Sequence, residues 1–156
     1  MSSSGLKVWI CTGDKYETTL SVAKACRLFT NDSISEVSVI TENWDEIRSS
    51  LESGMTEFID GDSSLELVAI SGTALAVIAS DKDLFSLLLQ LVSVAKTTIF
   101  VRMAPSQKVQ AVDIAKKHLK MKVLAIGDGY NDTLMLQAAH VGIRINNDEA
   151  DSIRDS

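Results

Sequence analysis

Apolar residues follow two patterns along this chain of 156 residues. Short, nearly continuous apolar runs are typical of buried strands, whereas apolar residues three and four positions apart are typical of helices. The pattern predicts strands at residues 7–11, 36–41, 65–71, 97–103, 122–129 and 141–145. It predicts helices at residues 17–29, 43–54, 81–96, 105–120 and 131–140. Because apolar strands and helices alternate, we expect an α/β fold with a mostly parallel sheet flanked by helices.

The residues at the element boundaries support this assignment. Asp81 is suited to cap the helix that follows it, because its side chain can accept hydrogen bonds from free backbone N–H groups. Pro105, the only proline, is expected in the first turn of its helix. Gly54 is expected to end the second helix, and Ser71 and Gly72 are expected to form a turn after the third strand.

Composition narrows the classes of function. A formal net charge of −6 disfavours a nucleic-acid surface, which is usually basic, so we expect no nucleic-acid partner. The apolar stretch at residues 84–99 is shorter than the roughly 20 residues that a membrane helix needs. Cys11 and Cys26 lack the spacing of a zinc site. Residues 1–4 are expected to be an artificial start, and both ends suggest a piece of a longer protein.

The first candidate site follows the first strand. In parallel α/β folds ligands bind beyond the carboxyl ends of the strands, and Thr12, Gly13 and Asp14 lie there, just before a helix. The free N–H groups of a helix N-terminus attract phosphate, and a glycine lets the backbone approach it closely. The alternative is an ordinary strand-to-helix turn in which Asp14 caps the helix.

The second candidate site follows the fourth strand. Arg102 leaves that strand, and Lys108 falls in the first turn of the helix opened by Pro105. A lysine at a helix N-terminus costs about 0.3–1 kcal/mol, because both carry positive charge. A solvated surface lysine tolerates that cost. An anionic ligand at this helix end would reverse it, and Lys108 would then act as a point charge on a phosphoryl group.

The third candidate site is the segment "GDGYND" at residues 127–132. Its glycines and carboxylates exceed what capping of the next helix by Asn131 or Asp132 would require. Mg²⁺ prefers oxygen ligands and leaves room for phosphate oxygens, so we expect Asp128 to hold Mg²⁺ and Asn131 to donate a hydrogen bond to phosphate. Together with Thr12 and the other strand ends, this loop predicts a phosphoryl-transfer site.

Three segments of the chain resemble one family: "TGDKYETTLSVAKACRLF", "FVRMAPSQKVQAV" and "LAIGDGYNDTLMLQAAHVGIRI". They look like the second half of the phosphorylation domain of P-type ATPases, which belong to the haloacid dehalogenase-like superfamily. "GDKYET" and "LMLQAAHVGIRI" look most like the type IV branch, the phospholipid flippases. The resemblance implies a Rossmann-like fold and makes residues 5–156 the C-terminal part of the phosphorylation domain.

The resemblance also implies roles for the residues of the first two sites. Thr12, Gly13 and Asp14 would line the site of ATP and of the phosphoryl group. Arg102 would contact the nucleotide, a role that the residue pattern alone does not suggest.

For the residues of the second and third sites, the resemblance implies roles in charge neutralisation and metal binding. Lys108 would neutralise the phosphoryl group, Asp128 would ligate Mg²⁺ and Asn131 would bind phosphate. Asp132 would be a second metal ligand or a carboxylate that orders the loop. Tyr130 occupies a place that is usually small in the family, so it is expected to crowd this loop.

One part of the family pattern is missing. The phosphorylated Asp of P-type ATPases lies in an Asp-Lys-Thr-Gly-Thr segment, and the 156 residues contain no such segment. The strand that carries it would lie between the strands at residues 7–11 and 122–129. We therefore expect an incomplete sheet with unpaired edges and no ATPase turnover by this chain alone. The gap is expected to close by rearrangement or to be filled by a partner chain, in which case the chain self-associates through those edges.

The expected function is that of a fragment of an ATP-driven phospholipid translocase, which works through an aspartyl phosphate with Mg²⁺ and ATP. The parent would lie in a membrane with this part at the cytosolic face, its lipid substrate bound by the membrane domain and an accessory subunit as a further partner. The alternatives are a non-catalytic regulatory module and a soluble haloacid dehalogenase-like phosphatase. The phosphatase would need an Asp-x-Asp nucleophile near the start of the domain, which is not found there.

Overall fold

The computed structural model describes residues 5–29 and 34–146. The expectation for residues 1–4 therefore lies outside the described residues. The six strands are β1 Val8–Cys11, β2 Glu36–Val39, β3 Leu67–Ser71, β4 Thr97–Val101, β5 Leu124–Gly127 and β6 Val141–Arg144. The α-helices are α1 Tyr16–Ala25, α2 Trp44–Gly54, α3 Gly72–Ala79, α4 Lys82–Val94, α5 Pro105–Asp113 and α6 Thr133–Ala138. The chain divides into two compact units between Ala104 and Pro105.

The first unit is built on a four-stranded sheet with the order β1-β4-β3-β2. Every pair of neighbouring strands is parallel. The central strands β3 and β4 are buried along their whole length, as their apolar sequences require. This arrangement confirms the predicted α/β class with a parallel sheet and flanking helices.

Helices cover both faces of this sheet. On one face Leu67, Ala69, Ile99 and Val101 form a buried cluster, and the partly buried apolar residues packed against it include Leu20 of α1. Side chains alternate between the faces of a strand, so Val37 points to the opposite face, where α2 packs. Gly54, at the end of α2, lies close to the side chains of Val37 in β2 and Leu91 in α4. An added Cβ would be 2.8 Å from Val37 Cγ2 and 3.3 Å from Leu91 Cδ2.

The boundary predictions had mixed outcomes. Asp81 caps α4 as predicted, accepting hydrogen bonds from Asp83 N at 2.9 Å and Leu84 N at 3.2 Å, and Pro105 opens α5. Gly54 is the last residue of α2, as predicted, but it does not stop the helical backbone, because one π-helical turn follows at Met55–Ile59. The predicted turn at Ser71 and Gly72 is instead the start of α3, since the Ser71 hydroxyl caps that helix through Ala74 N.

The second unit contains a two-stranded parallel sheet of β5 and β6. One face of this sheet packs against α6. On that face Ala125 is buried, and Gly142 is in close contact with the backbone of Leu136. The other face carries the cross-strand pairs Leu124–Val141 and Ile126–Ile143. These four side chains, called the apolar ladder below, are between 45% and 57% exposed.

Two further observations concern the whole described chain. Within residues 5–29 and 34–146, no helix combines the length and the hydropathy that a membrane crossing requires. Among the described residues, β1 pairs only with β4 and β5 only with β6. The expected strand between β1 and β5 remains a prediction.

Candidate functional site

In the first unit, backbone hydrogen bonds join the loop after β1 to the end of β4 and to the loop that follows it. Thr12 N donates to Phe100 O at 3.0 Å, and Met103 N donates to Thr12 O at 2.9 Å. Arg102 N donates to Asp14 O at 2.9 Å, with Arg102 in the left-handed region at φ +50°. The structure thus brings Thr12, Asp14 and Arg102 together at the carboxyl end of the sheet.

The turn itself is ordered by Thr12, whose Oγ1 accepts a hydrogen bond from Asp14 N at 3.1 Å. Lys15 occupies the N-cap position of α1, and no side chain caps this helix. The alternative in which Asp14 serves as the cap is therefore wrong. An uncapped N-terminus leaves backbone N–H groups available to an anion.

Gly13 is not required by the packing of this turn. An added Cβ would have only Met103 O within 4 Å, at 3.9 Å, and the residue is exposed. Its backbone φ is not positive. The glycine therefore leaves open space above the turn, which suits close approach of a ligand to the backbone.

In the second unit, Lys108 and Asp132 form an ion pair. Lys108 Nζ donates to Asp132 Oδ1 at 2.7 Å, and the two side chains are 13% and 12% exposed. The lysine at the start of α5 thus has a carboxylate partner within the chain, 24 residues away. Its position at a helix N-terminus is accounted for without a ligand.

The charge state of Asp132 follows from this pairing. Burial alone would raise its pKa, but hydrogen bonding and Coulomb attraction from Lys108, with the backbone N–H groups of Gly129 and Asp128, outweigh it. The net effect lowers the pKa of Asp132 below its ordinary value. Asp132 is therefore a carboxylate at neutral pH.

Asp132 also explains the first glycine of the loop. An added Cβ at Gly127 would lie 2.6 Å from Asp132 Cβ and 2.7 Å from its Oδ2. Gly129 N approaches the same Oδ2 at 3.5 Å. These are the contacts of a carboxylate that orders the loop, and the Asp132 side chain does not cap α6.

The other loop residues face solvent. Asp128 and Asn131 are exposed, and Tyr130 is 84% exposed, so the expectation that its ring crowds the loop was wrong. Arg144, which the sequence reasoning missed, lies with its guanidinium carbon 5.9 Å from the centre of the Tyr130 ring and donates to Thr133 Oγ1. In the sequence, Arg144 could have been noticed as the only charged residue in the otherwise apolar strand β6.

The residues of the second unit fit only part of a metal site. Across the described ranges, no three His, Cys, Asp or Glu side chains cluster closely enough to hold a metal ion. Asp132 already pairs with Lys108, which leaves the exposed Asp128 as the available carboxylate. One carboxylate suits Mg²⁺ that keeps several waters and binds phosphate oxygens, whereas a closed protein cage would need more ligands.

Comparison with known proteins shows similarity to one hydrolase family and to several phospholipid-transporting ATPases. Residues 75–153 match the model of the haloacid dehalogenase-like hydrolase family. The chain is 34% identical, over 96% of its length, to the probable phospholipid-transporting ATPase IM of Homo sapiens. It is 35% identical to phospholipid-transporting ATPase 1 of Arabidopsis thaliana over 94% of its length. The corresponding values for phospholipid-transporting ATPase DRS2 of Saccharomyces cerevisiae are 34% and 93%.

The parallel α/β architecture and the family match together define the class of protein. The chain belongs to the haloacid dehalogenase-like hydrolase family. Within this class its similarity is to phospholipid-transporting ATPases, which confirms the resemblance to the type IV branch. The chain spans only 15%, 12% and 11% of the length of these three relatives.

Proposed function

We propose that this chain is part of the cytosolic catalytic domain of an ATP-driven phospholipid translocase that works through an aspartyl phosphate. The observation that carries the proposal is similarity to phospholipid-transporting ATPases over 93–96% of the chain. The two loop clusters support it, because both present phosphate-binding groups at the ends of parallel strands.

In the first unit, the turn after β1 would hold the phosphoryl end of ATP. The uncapped N-terminus of α1 and the open backbone at Gly13 would accept phosphate oxygens, and the Thr12 hydroxyl would donate to them. Asp14 lies on the same turn, and Arg102, tied to it through the backbone, would contact the nucleotide.

In the second unit, Lys108 would offset charge on the transferring phosphoryl group, with Asp132 fixing the position of the ammonium. Asn131 would donate a hydrogen bond to a phosphate oxygen. Asp128 would hold Mg²⁺, which when bound supplies charge neutralisation for phosphoryl transfer. The chain would contribute every one of these groups and receive the nucleophilic Asp from elsewhere in the parent protein.

The proposal includes a cellular setting. The parent protein would carry the lipid site in a membrane domain, would place this part at the cytosolic face, and would take an accessory subunit. The relatives' length outside the matched region, 85% or more, leaves room for such a membrane domain.

The parent protein is expected to form an acid-stable phosphoenzyme when incubated with Mg²⁺ and γ-labelled ATP, and hydroxylamine should release the label because it is an acyl phosphate. Replacing Asp128 by Asn should slow labelling by on the order of 100-fold, since it removes preorganised charge at the phosphoryl group. The 156-residue chain alone should show no ATP turnover.

Asp62→Asn serves as the matched control, because Asp62 is an exposed carboxylate in the first unit. The parent protein with this substitution should form the labelled phosphoenzyme at the normal rate. Steady ATP hydrolysis by the chain alone, lost in Asp128→Asn, would contradict the proposed absence of the nucleophile. A folded parent protein without any label would instead favour a regulatory module.

We also propose that the chain alone self-associates through the unpaired edges of its sheets, and that in the second unit the second copy covers the apolar ladder beside the edge of β5. The four side chains of the ladder form regular cross-strand pairs, a face that packs well against an equivalent sheet. Contiguous exposed apolar surface of this kind marks an interaction site.

Replacing Ile126 and Ile143 together by Lys should convert the self-associated chain to monomer, because each lysine would bury a charge in the interface. Sedimentation velocity over a range of concentrations measures this change. The control is Val22→Lys, which alters an exposed apolar residue of α1 that is 51% exposed. A wild-type chain that is monomeric at all concentrations would refute the proposal.

A further inference from the structure

The outer edge of β2 offers backbone groups for a further strand. Among the described residues, β2 pairs with β3 alone, and Leu67 N donates to Ser35 O at 3.2 Å. In a parallel ladder successive residues direct their N–H and C=O groups alternately to the two sides. Val37 therefore faces β3, and the backbone groups of Ser38 point away from the sheet. By the same alternation we expect those of Ile40, the residue just after β2, to point outward as well.

A groove of about 630 Å³ lies along this edge. Ser38 and Ile40, the residues whose backbone groups point outward, form part of its wall. The first turns of α2 form another part, through Asp45, Glu46 and Ser49. An extended segment hydrogen-bonded to β2 would therefore have every second side chain facing the helix.

The helical wall of this groove carries uncompensated negative charge. Within the described part of the chain, no Lys or Arg forms an ion pair with Asp45 or Glu46. Arg48, the cation of α2, is engaged elsewhere. It pairs with Glu52 at 2.8 Å and lies 5.1 Å from the centre of the Trp44 ring. The groove thus favours a basic occupant.

We propose that this groove binds an extended basic peptide segment, which adds to β2 as a fifth strand of the sheet. Backbone hydrogen bonds to Ser38 and Ile40 would give the segment its register. Lys or Arg at alternate positions would face Asp45 and Glu46. None of the groove residues is among those assigned to phosphoryl transfer, and the proposal does not depend on that function.

The probe is a fluorescein-labelled peptide of four alternating Lys–Thr pairs, and the comparison peptide has the same composition with its lysines in one block. Fluorescence anisotropy should show about tenfold tighter binding of the alternating peptide, because only it presents all its lysines to one wall. Amide hydrogen exchange at Ser38 and Ile40 should slow on binding, whereas exchange at Val37, already bonded to β3, should change little.

Two variants of the full chain separate the contribution of the backbone hydrogen bonds from that of the negative charges. Ser38→Pro removes an outward N–H that the sheet itself does not use, and it should abolish binding of the alternating peptide. Asp45→Asn with Glu46→Gln should weaken binding roughly tenfold and reduce its salt dependence. The matched control is Glu57→Gln with Asp62→Asn, which changes the same charge at exposed positions outside the groove and should bind normally.

Equal binding of the two peptides, or unchanged binding by the Asp45 and Glu46 variant, would overturn the proposal. So would a chain that binds neither peptide but dimerises through the same edge, with Ser38→Pro restoring the monomer. That result would assign the edge to a second copy of the chain.

Discussion

Replacing Lys108 by Met should destabilise the second unit by about 3 kcal/mol at neutral pH, because the Asp132 carboxylate would remain buried without its cation. Hydrogen exchange of the amide of Ala125, the buried residue of β5, reports the stability of this unit. Lys117→Met is the control, since Lys117 pairs with Asp113 at 3.2 Å with its side chain 66% exposed. That exposed pair should contribute no more than about 0.5 kcal/mol.

The pH dependence of this destabilisation follows from the pKa of Asp132. In the wild type, the folded pKa of Asp132 is below its unfolded value, about 3.9. The ion pair therefore stabilises the fold above pH 3.9, and this contribution is lost as pH falls through the lower folded pKa. In Lys108→Met, burial without a cation should raise the pKa of Asp132 above 3.9, so protonation relieves the penalty as pH falls.

The stability difference between the wild type and Lys108→Met should accordingly shrink between pH 7 and pH 4. Adding Asp132→Asn to Lys108→Met should recover part of the loss at pH 7, because the unpaired charge is gone. A loss of stability that is the same at both pH values, or equal to that of Lys117→Met, would contradict the importance of the pair.

The second large effect is expected for Gly142→Ala, which should destabilise the second unit by about 3 kcal/mol. The added Cβ would lie 2.5 Å from Leu136 O and 3.0 Å from Leu136 C. These are backbone atoms of α6, so no flexible side chain can yield and the helix must shift away from β6. The same hydrogen-exchange measurement detects the loss.

Gly129→Ala is the control for this substitution. Its added Cβ would have no neighbour closer than Asn131 N at 3.8 Å, and Gly129 has φ −106°, which any residue adopts. Its stability should change by less than about 1 kcal/mol. If both glycine variants lost the same stability, the close approach of β6 to α6 would not be the cause.

Local signals in the sequence predicted the parallel α/β class and several helix starts. Asp81 and Pro105 act on backbone groups within one turn, so their effect is visible in the sequence itself. Gly54 is the last residue of α2, but the sequence did not show why: it serves close packing against Val37 and Leu91, and the helical backbone continues past it. Such a tertiary reason lies outside any window of neighbouring residues.

The candidate site shows the same limit. The residue types at the strand ends were identified, and the hydrogen bonds that join Thr12, Asp14 and Arg102 agree with their being neighbours. The partner of Lys108 was not foreseen, because Asp132 is 24 residues away and reaches it through the fold. A lysine that looked unfavourable from its helix position is in fact neutralised by a side chain from another loop.

The backbone hydrogen bonds between the β1 and β4 loops have a consequence for motion. Thr12 and Asp14 on one loop are tied to Met103 and Arg102 on the other, so neither loop can fluctuate independently. A left-handed residue such as Arg102 stores backbone strain that persists only while its surroundings hold it. Loosening either loop should therefore release both on the same timescale, so the two segments act as one mechanical element.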